Sequence, residues 1–238
     1  MDCTHIPEIS CFYSNTIASH ILNPSAHFEY EMILVTDGSA QVQIHDRTYP
    51  LQRGSLLFIS RLEQHQFCIV KEPYCRYVLS VSSDLLLSHL NEPRLASIFM
   101  QRPEYFSHVV QLNEEQLAYF LPFFQKSADE YEKQSDFYTL QSIALLLSVL
   151  ISLYRLYPNA FPMEDSSSLS AAVLNAQIYV SRHFNRKLTL QEIADQCFLN
   201  RHTLSLAFKE IVGITFKEYL LLFRITEAKK LLLTTDLS

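Results

Sequence analysis

The spacing of apolar residues changes once along this 238-residue chain, and that change restricts the folds open to it. From Phe12 to about Ser82 the apolar residues fall in short runs, EYEMILVT, AQVQIHD, SLLFISR, FCIVK and RYVLSVS. These are rich in Val, Ile, Phe and Tyr and are separated by Asp37-Gly38, Asp46-Arg47, Arg53-Gly54 and Glu72-Pro73. Short strands at regular spacing with no helix between them predict a sandwich or barrel. From about Glu92 to Tyr157 the period becomes helical, and it is helical again beyond residue 170. The expectation is an α+β multidomain chain: an amino-terminal β-barrel, a helical segment after it, and an all-α carboxyl-terminal domain.

The first helical stretch opens at Asn113, a good N-cap, and carries Pro122, which should kink it. The next, DFYTLQSIALLLSVLISLYRLYP, is apolar on nearly every side but is interrupted by Ser142, Ser148, Ser152 and Arg155. Its apolar core is shorter than the about twenty residues a membrane span needs. It therefore predicts a buried helix with a stripe left for a partner subunit, and no membrane. PNAFPMEDSSSLS, residues 158–170, has no periodicity and reads as a linker. In AAVLNAQIYVSRHF beyond it, Val173, Leu174, Ile178, Tyr179 and Phe184 form an apolar face.

The stretch from Thr189 to Gly213, TLQEIADQCFLNRHTLSLAFKEIVG, carries the densest set of helix punctuation. Thr189 with Glu192 has the spacing of a capping box, so a helix should start at Leu190 and bury Ile193, Ala194 and Cys197. A break follows at Phe198-Leu199. Asn200 then offers a second N-cap, and Leu204, Ala207, Phe208 and Ile211 repeat at helical spacing up to Gly213. Two short helices joined by a tight turn predict a helix-turn-helix, whose second helix enters the DNA major groove. Its outward residues are Arg201, His202, Thr203, Ser205, Leu206 and Lys209. A helix pair of this kind also occurs in all-α cores that never meet DNA.

The net charge of −6 is unevenly spread. Residues 1–168 hold 10 Lys+Arg against 19 Asp+Glu, and residues 169–238 hold 9 against 6, so only the carboxyl-terminal part is drawn to phosphate. The amino terminus lacks the basic and apolar stretches of a signal peptide, which points to the cytoplasm. Cys3, Cys11, Cys68, Cys75 and Cys197 are odd in number and form no CxxC pair, which fits reduced thiols. With three glycines there is no phosphate loop; a nucleophile elbow and HExxH are absent too, so no catalytic residues are assigned.

After Gly213 the run GxTFxEYLxxxRxxxAxxLL, with Gly213, Phe216, Tyr219, Arg224, Ala228 and Leu231-Leu232 in register, resembles the DNA-binding domain of the AraC/XylS family of bacterial transcription regulators. Earlier, His27-x-x-x-Glu31 with Gly38, and Gly54 with His65, resemble the two motifs of the cupin barrel, which also fits an AraC-like sensor domain. Metal-binding cupins use three histidines and a glutamate, and Ser25 stands here where the first histidine belongs. His27, Glu31 and His65 could hold a metal, be hydrogen-bonded within the barrel, or face a small-molecule pocket. The expectation taken is a pocket with no metal and no cofactor, in which Tyr30 and Arg76, and also Glu29 and Tyr77, could take part.

The resemblance implies a cupin-like sensor over residues 1–90, a helical dimerisation segment over 91–157, the linker, and an AraC-like DNA-binding domain over 171–238. His202, Ser205 and Leu206 are expected at bases, and Arg201 and Lys209 at phosphates. Leu206 departs from the family, where many members carry arginine or another polar side chain, and Phe198 stands where glycine is common. Family members resemble two helix-turn-helix units bridged by a long helix. Here Arg224, Lys229 and Lys230 lie on that helix, and Thr235 to Ser238 look like the start of a second unit. The implied function is effector-controlled, sequence-specific transcription regulation, with double-stranded DNA, a small-molecule effector, a second copy of the chain and RNA polymerase as partners. A metal-dependent cupin enzyme and an interaction module without DNA readout are the alternatives.

Overall fold

A computed structural model describes residues 8–17, 22, 24–90, 92–103, 105–162 and 168–234. They divide into two compact units, one from the first strand to Phe99 and from Ser107 to Phe161, the other from Pro162 onward together with residues 100–106.

The first unit is built on a six-stranded antiparallel sheet: β1 (Ile9–Thr16), β2 (Tyr30–Ile44), β3 (Arg47–Gln52), β4 (Ser55–Ile59), β5 (His65–Val81) and β6 (Val109–Gln111). The organising strand is β2. β5 pairs along one edge of it, and the other edge is shared by β4 and then β3. Sequence patterning shows why. From Met32 to Val35 every side chain is buried, as it must be where both faces are covered. From Ala40 onward Ala40, Val42 and Ile44 are buried while Gln41 and Gln43 are exposed, which is the alternation of a strand with one wet face.

Two of the expected turns behave differently. Arg53-Gly54 does turn the chain, and the turn expected at Asp46-Arg47 falls one residue earlier, at His45-Asp46, but Asp37-Gly38 lies within β2, and Glu72-Pro73 within β5. Gly38 marks a bulge, where the pairing with β5 shifts register between Val35 and Ala40. Its φ is +73°, and a Cβ there would stand 2.2 Å from the Pro73 carbonyl oxygen, so only glycine lets the strands approach. One bulged strand replaces the two short ones that the punctuation suggested. β6 also lies in a stretch expected to be wholly helical.

One face of the sheet buries Ile33, Val35, Val42, Ile44, Leu57, Ile59, Phe67, Tyr74 and Val78 as a single core. Helices α1 (Ser83–His89) and α2 (Pro93–Met100) follow β5. α3 (Glu114–Lys133) starts in a reciprocal capping box between Asn113 and Gln116, contains Pro122, and packs on β1, where the Cys11 thiol donates to the Phe124 carbonyl at 3.5 Å. α4 (Tyr138–Leu156) is the one helix among the described residues long and apolar enough to cross a membrane, with mean hydropathy 1.6. It instead buries Ile143, Leu146, Val149, Leu150 and Leu153, and it packs against α3 and β1. The stretch expected as a linker begins with a 3-10 turn, Pro158–Ala160, after which Phe161 is buried edge-on against Tyr154. Residues 163–167 lie outside those described.

The second unit holds α5 (Ser168–His183), α6 (Leu190–Gln196), α7 (Arg201–Val212) and α8 (Phe216–Thr234). Phe208 is its centre, with its ring 5.6 Å from Phe216 and 5.3 Å from Tyr219, both edge-on. Among the described side chains of α5, Ala172, Val173, Ala176, Gln177 and Val180 are buried, while the expected Ile178 and Tyr179 are half-buried and the side chain of Leu174 lies outside those described. Arg224 of α8 donates from Nε to the Phe184 carbonyl at 2.9 Å and from Nη2 to the Arg186 carbonyl at 2.6 Å. It thus satisfies acceptors left open where α5 ends. Thr235 to Ser238, expected to begin a second unit, are outside the described residues, as are the side chains of Lys229 and Lys230.

Candidate nucleic-acid interface and ligand cluster

Local chemistry makes α6 and α7 two separate helices. Thr189 Oγ1 accepts the Glu192 N–H at 3.2 Å, and Asn200 Oδ1 accepts the Thr203 N–H at 2.8 Å, one cap for each start. Gly213, at φ +83°, ends α7, and its N–H donates to the Lys209 carbonyl at 2.9 Å. The Glu192 carboxylate accepts from Tyr179 Oη and Arg186 Nη2, tying α6 to the end of α5. A reciprocal box closes at α8 instead, where Thr215 Oγ1 accepts from the Glu218 N–H and Glu218 Oε2 accepts from the Thr215 N–H. Thr215 and Glu218 have the same T-x-x-E spacing in the sequence as Thr189 and Glu192.

The break between the helices is Phe198, at φ +55° and 97 % exposed. Asparagine or glycine would adopt this backbone at less cost. On α7, Leu204, Ala207, Phe208 and Ile211 are buried, while Arg201, His202, Ser205, Leu206 and Lys209 are exposed. Thr203 is half-buried under the Asn200 cap. Leu206, 57 % exposed, is an apolar side chain in the middle of a donor-rich face.

In the sheet unit three of the five expected ligand residues converge. A ring nitrogen each of His27 and His65 and a carboxylate oxygen of Glu31 lie within 4.8 Å of one another. The loop before β2 is pinned to the start of β5 by two backbone bonds, from the Ser25 N–H to the His65 carbonyl at 2.9 Å and from the His65 N–H to the Ser25 carbonyl at 3.0 Å. Ser25 thus serves the cluster through its backbone. This clamp sets the His27 ring edge-on to that of His65, with centroids 5.2 Å apart.

His27 Nε2 stands 3.3 Å from Glu31 Oε2, without the alignment of a hydrogen bond. Burial opposes charge on His27, but the Glu31 carboxylate overrides it and holds the imidazole pKa above its ordinary value. Glu31 is pushed up by burial and pulled further down by His27, so it sits below the usual carboxylate range. Burial lowers the pKa of His65.

Strand alternation sorts the remaining candidates. Neighbours on a strand face opposite sides of the sheet, so Tyr30 turns away from Glu31 and packs against Phe99 of α2 at 5.6 Å. Tyr77 likewise meets Tyr13 and Phe124 on the far side. Arg76, paired with Val35, shares the face of Glu31 but lies further along. It stacks on Tyr74 at 4.8 Å and donates to Thr16 Oγ1 at 3.1 Å. Glu29 stays beside the cluster, with Oε2 3.8 Å from His27 Nδ1.

Sequence reasoning missed two supporting groups. Ser80, opposite Glu31 in the register, donates to Glu31 Oε1 at 3.0 Å. Glu63 and His108 are both buried, with Glu63 Oε1 2.9 Å from His108 Nε2, and His108 Nδ1 lies 2.9 Å from Tyr49 Oη. The Glu63 carbonyl accepts from His65 Nδ1 at 2.9 Å, so this network fixes the ring of His65. No spacing in the sequence links residues 45 positions apart. A cavity of about 170 Å³ opens beside His65, lined by Pro24, Gln43, His45, Gln64 and Gln66. A groove of about 720 Å³ runs between β1 and α3.

Comparison with known proteins places both units. The AraC-like ligand binding domain matches residues 8–150, and the helix-turn-helix of bacterial regulatory proteins of the AraC family matches residues 180–221. The crystal structure of unsaturated fatty acid bound ToxT from Vibrio cholerae strain SCE256 superposes with a TM-score of 0.59 at 14% identity. It covers 97% of this chain and 82% of ToxT, a shared fold. AdaA of Bacillus subtilis, a bifunctional transcriptional activator and DNA repair enzyme, is 40% identical over 58 residues. That is 24% of this chain and 28% of AdaA, so the match spans little more than a quarter of that relative. The ligand-binding model alone covers more than half of the chain and the helix-turn-helix model lies beyond it, so this protein belongs to the AraC family of transcription regulators.

Proposed function

We propose that this chain is a cytoplasmic, effector-controlled regulator, and not an enzyme, that reads a specific DNA sequence through α7. One observation carries the proposal: α7 is capped at both ends, buries four residues on one side, and presents Arg201, His202, Ser205, Leu206 and Lys209 on the other. A helix fixed in this way can lie in a major groove with its first two turns against base edges. His202 and Ser205 hydrogen-bond bases, and Leu206 makes apolar contact, for which the thymine methyl is the natural partner. Arg201 and Lys209 neutralise phosphates, and Thr203 supports the turn from its half-buried position.

The sensor role falls to the first unit, with effector contacts at His27, Glu31 and His65 and with Arg76 on the same face. Tyr30 takes part only through its packing behind the sheet. The segments proposed are the sensor over 1–90, a dimerisation segment over 91–157, the linker over 158–170 and the DNA-binding domain from 171. Homodimerisation is supported by exposed Tyr119, Leu140, Ile151 and Leu156 on α3 and α4, and contact with RNA polymerase follows from the regulatory role. Selection of duplexes from a random pool tests the reading: one enriched motif is expected, and equal retention of all sequences would reject it.

A further inference from the structure

The groove between β1 and α3 has walls of two kinds. On the strand side, Tyr13 and Tyr77 stand opposite each other in the register with ring centroids 5.1 Å apart, and Tyr77 lies 6.4 Å from Phe124 of α3. On the helix side, Gln125, Ala128, Asp129 and Glu132 recur at helical spacing, next to the buried stripe of Phe120, Phe124 and Ser127. Tyr77 and Ser80 differ by an odd number of positions along β5, and Ser80 is the partner of Glu31. The groove and the histidine cluster therefore lie on opposite faces of the sheet.

The chemistry of these walls is narrow. Phe12, Tyr13, Tyr77 and Tyr131 supply four aromatic side chains, of which Phe12 is 45 % and Tyr13 50 % exposed. Asp129 and Glu132 supply the charge, and among the described residues that line the groove none is basic. Asp129 Oδ2 lies 3.6 Å from Lys133 Nζ in an exposed pair, which leaves Glu132 as the principal counter-charge. A hydrogen bond to Cys75 holds the Tyr13 phenol pKa up at about 12, and burial raises that of Tyr77, so both phenols are neutral in ordinary solution. Burial pushes the Cys11 thiol up to about 12 while it donates to the Phe124 carbonyl, so the groove offers no thiolate to a soft metal ion.

These features select among ligand classes. An anion would meet two carboxylates and no compensating cation. A hydrated metal ion gains little from aromatic walls, and two carboxylates on an exposed helix surface would leave most of its shell to water. An organic cation uses both walls. Its charge is attracted to the carboxylates and to the faces of the rings, and its alkyl or aryl part covers apolar surface that is otherwise wet. The groove, at about 720 Å³, is within the range of about 300–1,000 Å³ that takes drug-sized ligands.

We propose that the groove between β1 and α3 binds an organic cation, an alkyl- or aryl-ammonium ion, with Glu132 as its counter-ion and Phe12, Tyr13 and Tyr77 as its aromatic walls. The site is separate from the effector contacts proposed at His27, Glu31 and His65, and it rests on neither the sensor nor the DNA-binding reading.

The test is calorimetric titration of the full chain with benzyltrimethylammonium, with benzyl alcohol as the neutral comparison and benzenesulfonate as the anionic one. A saturable 1:1 site is expected for the cation, about tenfold or more tighter than for either comparison. Tyr13→Leu keeps apolar area but removes the ring face, and should weaken the cation about fivefold, with Glu132→Gln weakening it about threefold. Phe12→Leu is a second ring variant with the same expected direction, and circular dichroism reports whether each variant folds. No saturable binding, or equal affinity for the cation and either comparison, rejects the proposal. Cation binding that survives Tyr13→Leu, Phe12→Leu and Glu132→Gln unchanged places the ion elsewhere on the chain and rejects this groove.

Discussion

The two units expose their functional chemistry in opposite ways. In α7 the candidate groups point outward from a helix, and their placement follows from a period of 3.6 and two caps. In the sheet unit they point inward and come from a loop, the start of β5 and the start of β2, brought together by a backbone clamp at Ser25 and His65. A helix face can therefore be read locally. A cluster on a sheet depends on register, bulges and loops that link residues far apart in the chain.

Several substitutions sharpen that contrast. The largest effect is expected on the buried side of α7. Phe208→Ala empties a site between Phe216 and Tyr219 and should cost about 3–5 kcal/mol in denaturant unfolding, whereas Leu206→Ala should stay within about 0.5 kcal/mol. Comparable losses from both would mean that the assigned faces are wrong. In the sheet unit His108→Ala leaves the buried Glu63 carboxylate without its histidine, and should destabilise by about 3 kcal/mol. It should also loosen His65, visible as a shift of its ring resonances, and an unmoved His65 would show that the network does not position it.

Caps are worth less. Thr215→Ala removes one arm of the box that starts α8, and should cost about 1 kcal/mol. The same loss from Thr189→Ala is expected, because Glu192 is held by Tyr179 and Arg186 with or without it; a much larger loss there would mean that α6 depends on its cap alone.

The smallest effect is a pH dependence of stability. Glu31 is held below its ordinary range, so its contribution is present above that range and fades as pH falls through the lowered value. His27 is held above 6.5, so its contribution is complete below 6.5 and fades as pH rises through the raised value. Stability from the pair should therefore peak in mildly acidic solution, and Glu31→Gln should flatten the profile between these limits. An unaltered profile in that variant would remove the pair as its source.

Much of the helical unit was legible in the sequence, because caps and turns act on neighbours: Thr189, Asn200 and Gly213 sit where their side chains or backbone freedom are needed. The cluster was half legible. His27, Glu31 and His65 could be singled out by motif, and period-two alternation alone separates Tyr30 from Glu31, since adjacent strand residues cannot share a face. Ser80, Glu63 and His108 were not legible, because their roles come from strand register and from contacts across 45 to 49 positions. Gly38 misled for a physical reason: the positive φ that makes glycine common in turns is the same one a bulge requires.

The claim at the centre is that the outward side of α7 reads DNA, with bases and phosphates divided among its residues. Binding of wild-type, His202→Ala and Lys209→Ala chains to the selected duplex and to scrambled duplexes, over a range of salt, tests it most directly. Lys209→Ala should weaken binding alike on every sequence and reduce the salt slope by about one, whereas His202→Ala should cost about 1–3 kcal/mol on the selected duplex and little elsewhere. Identical losses from both variants on all duplexes, or none from either, would contradict the account.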